Sequence, residues 1–233
     1  MATIALCKVE DPSRYGVVEM AEGERIKRFI EKPLKDAAPS KLINAGVYVL
    51  SPEVFKLIPE GKAVSMEREI FPKLAEEGRL YGHFIQGLWM DIGKPEEYLQ
   101  INKILLDALP KQAHKKSNGF ELKNPVALDK GVSVGEKSVI GPYAVLGRNV
   151  TVGKNVKIRD SVIFPETRIE DHASIESAII GEGAMIGRGV RIGRGCVVAD
   201  QAKVKDGVRL DENMAVCPAK EVAEKTLKSK IIC

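Results

Sequence analysis

The chain has 233 residues, 44% hydrophobic and 29% charged, with a net charge of +4, which suits one large or two small globular domains. Lys and Arg are interleaved with Asp and Glu, which argues against a nucleic-acid surface. No apolar run approaches the ~20 residues of a membrane span, and no signal-peptide pattern opens the chain.

The first half reads as mixed strands and helices. Strands are predicted at 3–9, 16–20, 26–30 and 46–50, with Glu22-Gly23-Glu24 as a turn. Ser51-Pro52 opens a short helix through Ile58, with Ser as N-cap and Pro at the first helical position. A second helix starts at Ser65 and ends near Gly78; 80–85 and 88–92 look like strands. Lys94-Pro95 begins a third helix through Leu109, with Tyr98, Ile101, Leu105 and Leu109 on one face. All aromatic residues but Phe120, Tyr143 and Phe164 precede residue 100. The polar, basic stretch from Leu109 to Gly119 then reads as a linker.

Beyond it the sequence keeps a six-residue beat. An aliphatic side chain returns from Val134 through Ile140, Leu146, Val152 and Ile158, and on through Ile163, Ile169, Ile175 and Ile180 to Val216. Only the steps from Ile158 to Ile163 and from Ile175 to Ile180 are five residues long. Four places after these positions stand small or apolar residues, among them Ser138, Ala144, Val150, Val156, Val162, Ala173 and Cys196. One place after, Gly recurs at 135, 141, 147, 153, 181, 187 and 193. Neither a helix nor a plain strand has period six; a parallel β-helix solenoid does. The glycines are expected to supply corner geometry that other residues reach only with strain. The expected division is 1–109, an α/β domain; 110–125, a linker; 126–217, the solenoid; and 218–233, a tail that is a short helix or a cap on the solenoid end. Cys7, Cys196, Cys217 and Cys233 have no CxxC spacing and read as reduced thiols of a cytoplasmic protein, not a metal cluster.

Candidate site residues gather at predicted strand ends, in Tyr15-Gly16-Val17-Val18, Phe29-Ile30-Glu31-Lys32-Pro33, Ile43-Asn44-Ala45-Gly46-Val47-Tyr48 and Trp89-Met90-Asp91-Ile92-Gly93-Lys94-Pro95. Ligands bind at strand ends in open α/β sheets. Lys32 is a compact cation suited to a phosphate. Glu31 and Asn44 suit sugar hydroxyls, and Gly16 and Gly46 would admit a ligand close to the backbone. Asp91 is a hard oxygen ligand of the kind Mg²⁺ prefers. Taken singly, Glu31-Lys32 would be a solvated pair, Asp91 a helix cap and Asn44 a turn residue. The order of the motifs, followed by a hexapeptide solenoid, is specific.

That order, with SMEREIFPKL at 65–74 and LYGHFIQGLWMDIGKPEEYL at 80–99, resembles the sugar-nucleotide pyrophosphorylases over essentially the whole chain, and among them the mannose-1-phosphate guanylyltransferase branch. The resemblance implies an α/β, partial Rossmann-like nucleotidyltransferase domain followed by an all-β left-handed parallel β-helix. It implies joining of a nucleoside triphosphate, GTP in that branch, to a sugar 1-phosphate, with Mg²⁺ as cofactor. Tyr15, Gly16, Glu31, Lys32, Asn44 and Gly46 would bind the sugar phosphate, and Lys32 and the metal ligand Asp91 would carry the catalytic roles. The family's Gly-rich triphosphate loop and second metal-binding Asp have no counterpart here. The nucleotide is therefore expected only where that part is supplied, and the chain alone is expected to be a poor catalyst. Partners are expected to be a further copy through the solenoid or a complementing chain, with no nucleic acid and no membrane. A non-catalytic assembly subunit is the alternative. Acyl transfer would need His172 as general base; an exposed corner His is the favoured reading.

Overall fold

β-Branched and small residues alternating along short runs build the first sheet. In the computed structural model, which describes residues 1–109, 119–223 and 230–233, the chain forms two units, Met1–Trp89 and Met90–Cys233. The first unit holds β1 (Ala2–Lys8), β2 (Gly16–Met20), β3 (Ile26–Glu31), β4 (Leu42–Leu50) and β5 (Leu80–Phe84), ordered β3-β2-β4-β1-β5. Only β1 and β5 run parallel. One face packs Ile4, Leu6, Val18 and Ile26 against Phe71 and Leu74 of α1 (Phe71–Glu76). The other gathers Ala5, Cys7, Val17, Ile43 and Ala45 beneath Tyr15 and Trp89.

The predicted strand at 46–50 is the second half of a longer one. β4 begins at Leu42 and bulges where the register moves from Leu6↔Asn44 to Ile4↔Tyr48. The predicted strand at 88–92 does not form. Gly87, at φ +111°, ends the extended run, and the Trp89 indole donates to the Ala45 carbonyl at 3.0 Å.

In the second unit, α2 (Pro95–Ala108) is followed by a solenoid whose strands make three parallel sheets. The six-residue beat becomes three inward columns. Ile140, Ile158, Ile175, Ile192 and Leu210 stack in register. So do Leu146, Ile163, Ile180, Val198 and Val216, and Val152, Ile169, Ile186 and Val204. All of these are buried. Strand pairing begins at Glu121–Leu122, and Glu221–Val222 and Ile231–Ile232 add further strands. The remaining linker stretch 110–118 and tail stretch 224–229 lie outside the described residues.

The second inward position is fixed by counting back two from each beat residue, not forward four. At the five-residue steps Ser161 and Ala178 therefore fill it, and Thr167 fills it in the six-residue step between Ile163 and Ile169, each at 0% exposure. Buried hydroxyls are tolerated because each is hydrogen-bonded. Ser161 Oγ donates to the Arg159 carbonyl at 2.6 Å and accepts the Ala178 N–H at 3.1 Å. Ser138 Oγ likewise donates to Gly153 and accepts from Val156.

The glycine expectation needs correcting. Of the glycines one place after the beat, only Gly141 has positive φ, at +95°. The others stand where the next coil passes close: a Cβ on Gly153 would lie 2.7 Å from the Asp171 backbone nitrogen, and one on Gly147 2.8 Å from that of Pro165. The left-handed corners fall two places later, at residues such as Lys137, Asn149, Asn155, Gly189 and Gly195.

α2 turns a different face to the solenoid than its apolar spacing suggests. Leu106 is buried and Lys103 pairs with Asp160 at 2.7 Å, whereas Leu105 and Leu109 are exposed. Tyr98, predicted on the apolar face, does stack on Phe164. The cysteine expectation also changes. Val216 and Ile232 are register partners, so Cys217 and Cys233, one place on in each strand, stand 4.9 Å apart at Cα and form a disulfide. Cys7 and Cys196 are free and buried.

Candidate functional site

Gly16 on β2 and Glu31 on β3 are direct partners across an antiparallel pair. The missing Cβ of Gly16 leaves room that Phe29 and Glu31 occupy: a Cβ there would stand 3.0 Å from Glu31 Oε2 and closer still to the Phe29 ring. Glu31 thereby folds inward, its side chain 18% exposed. Burial pushes its carboxyl pKa up; Lys32 opposes the rise, and Glu67 adds to it. Lys32 takes a left-handed conformation, φ 47°, and its N–H donates to the Tyr15 carbonyl at 3.0 Å. That turn leaves the Lys32 side chain 60% exposed, with its ammonium 3.9 Å from Glu31.

The bulge in β4 shapes the other side. Asn44 Oδ1 accepts the Gly46 N–H at 2.9 Å, an Asx-type turn. Gly46 sits at φ +80° with no atom within 4 Å of where a Cβ would point. This glycine supplies a left-handed conformation and an open backbone together. Asn44 Nδ2 donates to Tyr48 Oη at 2.8 Å, and the Tyr48 hydroxyl donates to Glu67 Oε1 at 3.1 Å. Ser65 Oγ holds the other Glu67 oxygen at 3.0 Å. Burial raises the Tyr48 phenol pKa; the Asn44 hydrogen bond opposes this, and Glu67 adds to it. The Tyr48 ring packs edge-on to Phe71, 4.9 Å between centroids. Tyr15 stands edge-on to Trp89 at 5.5 Å.

The structure thus gathers Tyr15, Gly16, Glu31 and Lys32 in one group and Asn44 and Gly46 in another, and Glu67, which acts on both Glu31 and Tyr48, links them. The sequence motifs give no role to Glu67, which lies within the SMEREIFPKL stretch. Its signal is long-range: nothing local says that it meets a tyrosine nineteen places earlier. Asp91 falls in the second unit, exposed, two places before Gly93, whose N–H donates to Glu97 at 2.9 Å. Among the described residues no three His, Cys, Asp or Glu gather as a metal cage. Mg²⁺ held by one or two carboxylates and completed by phosphate and water oxygens needs no such cage, so Asp91 fits that donor pattern. His172 is an exposed solenoid corner at φ 62°. No helix among the described residues is long and apolar enough to cross a membrane.

Residues 1–108 match the family model of the nucleotidyl transferases, and residues 122–232 match that of the GMPPB C-terminal domain. A probable mannose-1-phosphate guanylyltransferase 2 of Arabidopsis thaliana is 42% identical over 137 residues, 58% of this chain and 37% of that protein. A mannose-1-phosphate guanyltransferase of Saccharomyces cerevisiae is 45% identical over 116 residues, 49% of this chain and 31% of that protein. A mannose-1-phosphate guanylyltransferase catalytic subunit beta of Danio rerio is 47% identical over 113 residues, 48% of this chain and 30% of that protein. The chain spans about a third of the length of these relatives.

Proposed function

We propose, for a chain whose residues 1–108 match the nucleotidyl transferase family model, that it carries the sugar 1-phosphate side of a guanylyltransferase site. The substrates would be mannose 1-phosphate and GTP, the pair to which the relatives' names point. An oxygen of the sugar phosphate would bond to the α-phosphorus of GTP while the bond from that phosphorus to the bridging oxygen breaks, and pyrophosphate would leave. In this reading the side chains of Glu31 and Asn44 hydrogen-bond sugar hydroxyls, Lys32 neutralises the sugar phosphate, and the open backbone at Gly46 lets the ring approach. Gly16 acts at one remove, giving Glu31 its inward position, and Tyr15 fixes the Lys32 turn through its carbonyl. Mg²⁺, when bound, would neutralise phosphate charge, and Asp91 would hold it. No residue of this chain is assigned to the triphosphate. The cytoplasmic setting, and assembly through the solenoid or with a complementing chain, belong to the same proposal.

The observation that carries the reading is the inward Glu31 beside a left-handed Lys32, with Asn44 held at both its polar atoms. Its test is calorimetric binding of mannose 1-phosphate to the purified chain, with glucose 1-phosphate and mannose for comparison. Pyrophosphate release with Mg²⁺ and four nucleoside triphosphates is measured alongside. Saturable binding that needs the phosphate and is lost in Lys32→Ala supports it. Equal binding by free mannose, or none by any sugar phosphate, overturns it. Turnover with GTP would add that these residues suffice for the reaction.

A further inference from the structure

The segment Ser65-Met66-Glu67-Arg68-Glu69 has no place in the reading above, yet its side chains are sharply divided. Ser65 Oγ accepts the Arg68 N–H at 3.2 Å, and the Glu69 carboxylate accepts the Ser65 N–H at 3.0 Å. This reciprocal cap opens the turn Met66–Ile70 that leads into α1. Glu67 caps nothing. One oxygen takes the Ser65 hydroxyl, and the other reaches Tyr48 on β4.

We propose that Glu67 is a positioning residue of the sugar-phosphate site: acting through Tyr48, it holds the Asn44 carboxamide in the pose that meets a sugar hydroxyl. The inference rests on the function proposed above.

The protons available at these groups decide the pose. A tyrosine hydroxyl has one, and an ionised carboxylate can only accept. With that proton given to Glu67, the oxygen of Tyr48 turns a lone pair to Asn44 and receives one Nδ2 proton. Oδ1 is already taken by the Gly46 N–H. Asn44 is thereby pinned at both ends and left with one N–H and one carbonyl lone pair to offer, the donor–acceptor pair that a sugar hydroxyl matches. Without Glu67 the Tyr48 proton is free to swing toward Asn44, where two donors would face each other. Ordering the amide would then fall to the ligand, which weakens binding.

The test uses the full chain, mannose 1-phosphate as probe, and two readouts. Calorimetry gives affinity. The side-chain amide signals of Asn44 in ligand-free, ¹⁵N-labelled protein report whether it is held. Glu67→Ala is expected to broaden or merge the Asn44 amide signals and to weaken binding about tenfold, the worth of one hydrogen bond. Glu67→Gln keeps an acceptor oxygen without the charge and should stay within about threefold of the parent. Tyr48→Phe, which leaves Asn44 Nδ2 without its acceptor and guards against a misfolded alanine variant, should weaken binding about as much as Glu67→Ala.

Binding within twofold of the parent in both Glu67→Ala and Tyr48→Phe, or an unaltered Asn44 amide in both, would overturn this proposal alone. Absence of binding by the unmodified chain would overturn the sugar-phosphate reading, and this proposal with it, whatever the amide signals show.

Discussion

Replacing Gly153 by Ala tests why the solenoid repeats its glycines. The new Cβ would stand 2.7 Å from the backbone nitrogen of Asp171 and 2.9 Å from the carbonyl carbon of Glu170. Neither can step aside. The coils are tied by the Gly153 N–H to the Ile169 carbonyl at 2.7 Å, and by the Lys154 N–H to the Asp171 carboxylate at 2.8 Å. Overpacking of this kind costs about 1–3 kcal/mol, and stretching the Asp171 hydrogen bond adds about 1 kcal/mol. The expected loss is therefore roughly 2–4 kcal/mol. Gly189 is the control. It has φ +66° with nothing near its absent Cβ, and Asn fills left-handed corners of this kind at 149, 155 and 213. Gly189→Asn should change stability by less than about 0.5 kcal/mol. The assay is urea unfolding followed by far-ultraviolet circular dichroism, with hydrogen exchange at Gly153 and its neighbours to localise the change. Gly153→Ala within 0.5 kcal/mol of the parent, or less harmful than Gly189→Asn, would show that coil-to-coil contact is not what these glycines serve.

Ser161→Ala should cost about 1–3 kcal/mol in the same assay, because it leaves the buried Ala178 N–H unpaired; a neutral result would mean that water or repacking replaces the hydroxyl. Thiol titration in denaturant without reductant should find the two free thiols of Cys7 and Cys196, with two more after reduction, and finding all four before reduction would refute the Cys217–Cys233 bond. Glu31 has a folded pKa above its unfolded one through burial, so the native state holds that proton more tightly. Its contribution to stability is greatest below the unfolded value, about 4.3, and is lost as pH rises through the folded pKa. Glu31→Gln should therefore gain stability relative to the parent as pH rises above the unfolded value; a difference that does not move with pH would sink the claim.

The solenoid is legible in the sequence because its information is local. A six-residue period needs only neighbours in the chain to be read, and the columns Ile140–Leu210 and Leu146–Val216 follow from it directly. The motifs at Glu31, Lys32, Asn44 and Gly46 were likewise readable as strand-end polar groups, since each lies beside a Gly or Pro that shapes the backbone. What the sequence leaves undecided is everything set by residues distant in the chain. Whether Gly153 serves its own φ or the coil above it depends on the next turn of the solenoid. Ser161, not Val162, fills the inward corner because a five-residue step removes its missing residue before that corner and not after it. Leu106 is buried and Leu105 exposed because contacts distant in the chain, such as Tyr98 on Phe164 and Lys103 on Asp160, and not the apolar spacing alone, orient the helix. Glu67 joins the site, and Cys217 meets Cys233, only through strand pairing and packing that bring distant segments together. Periodicity is a property of the chain; proximity between segments is a property of the fold.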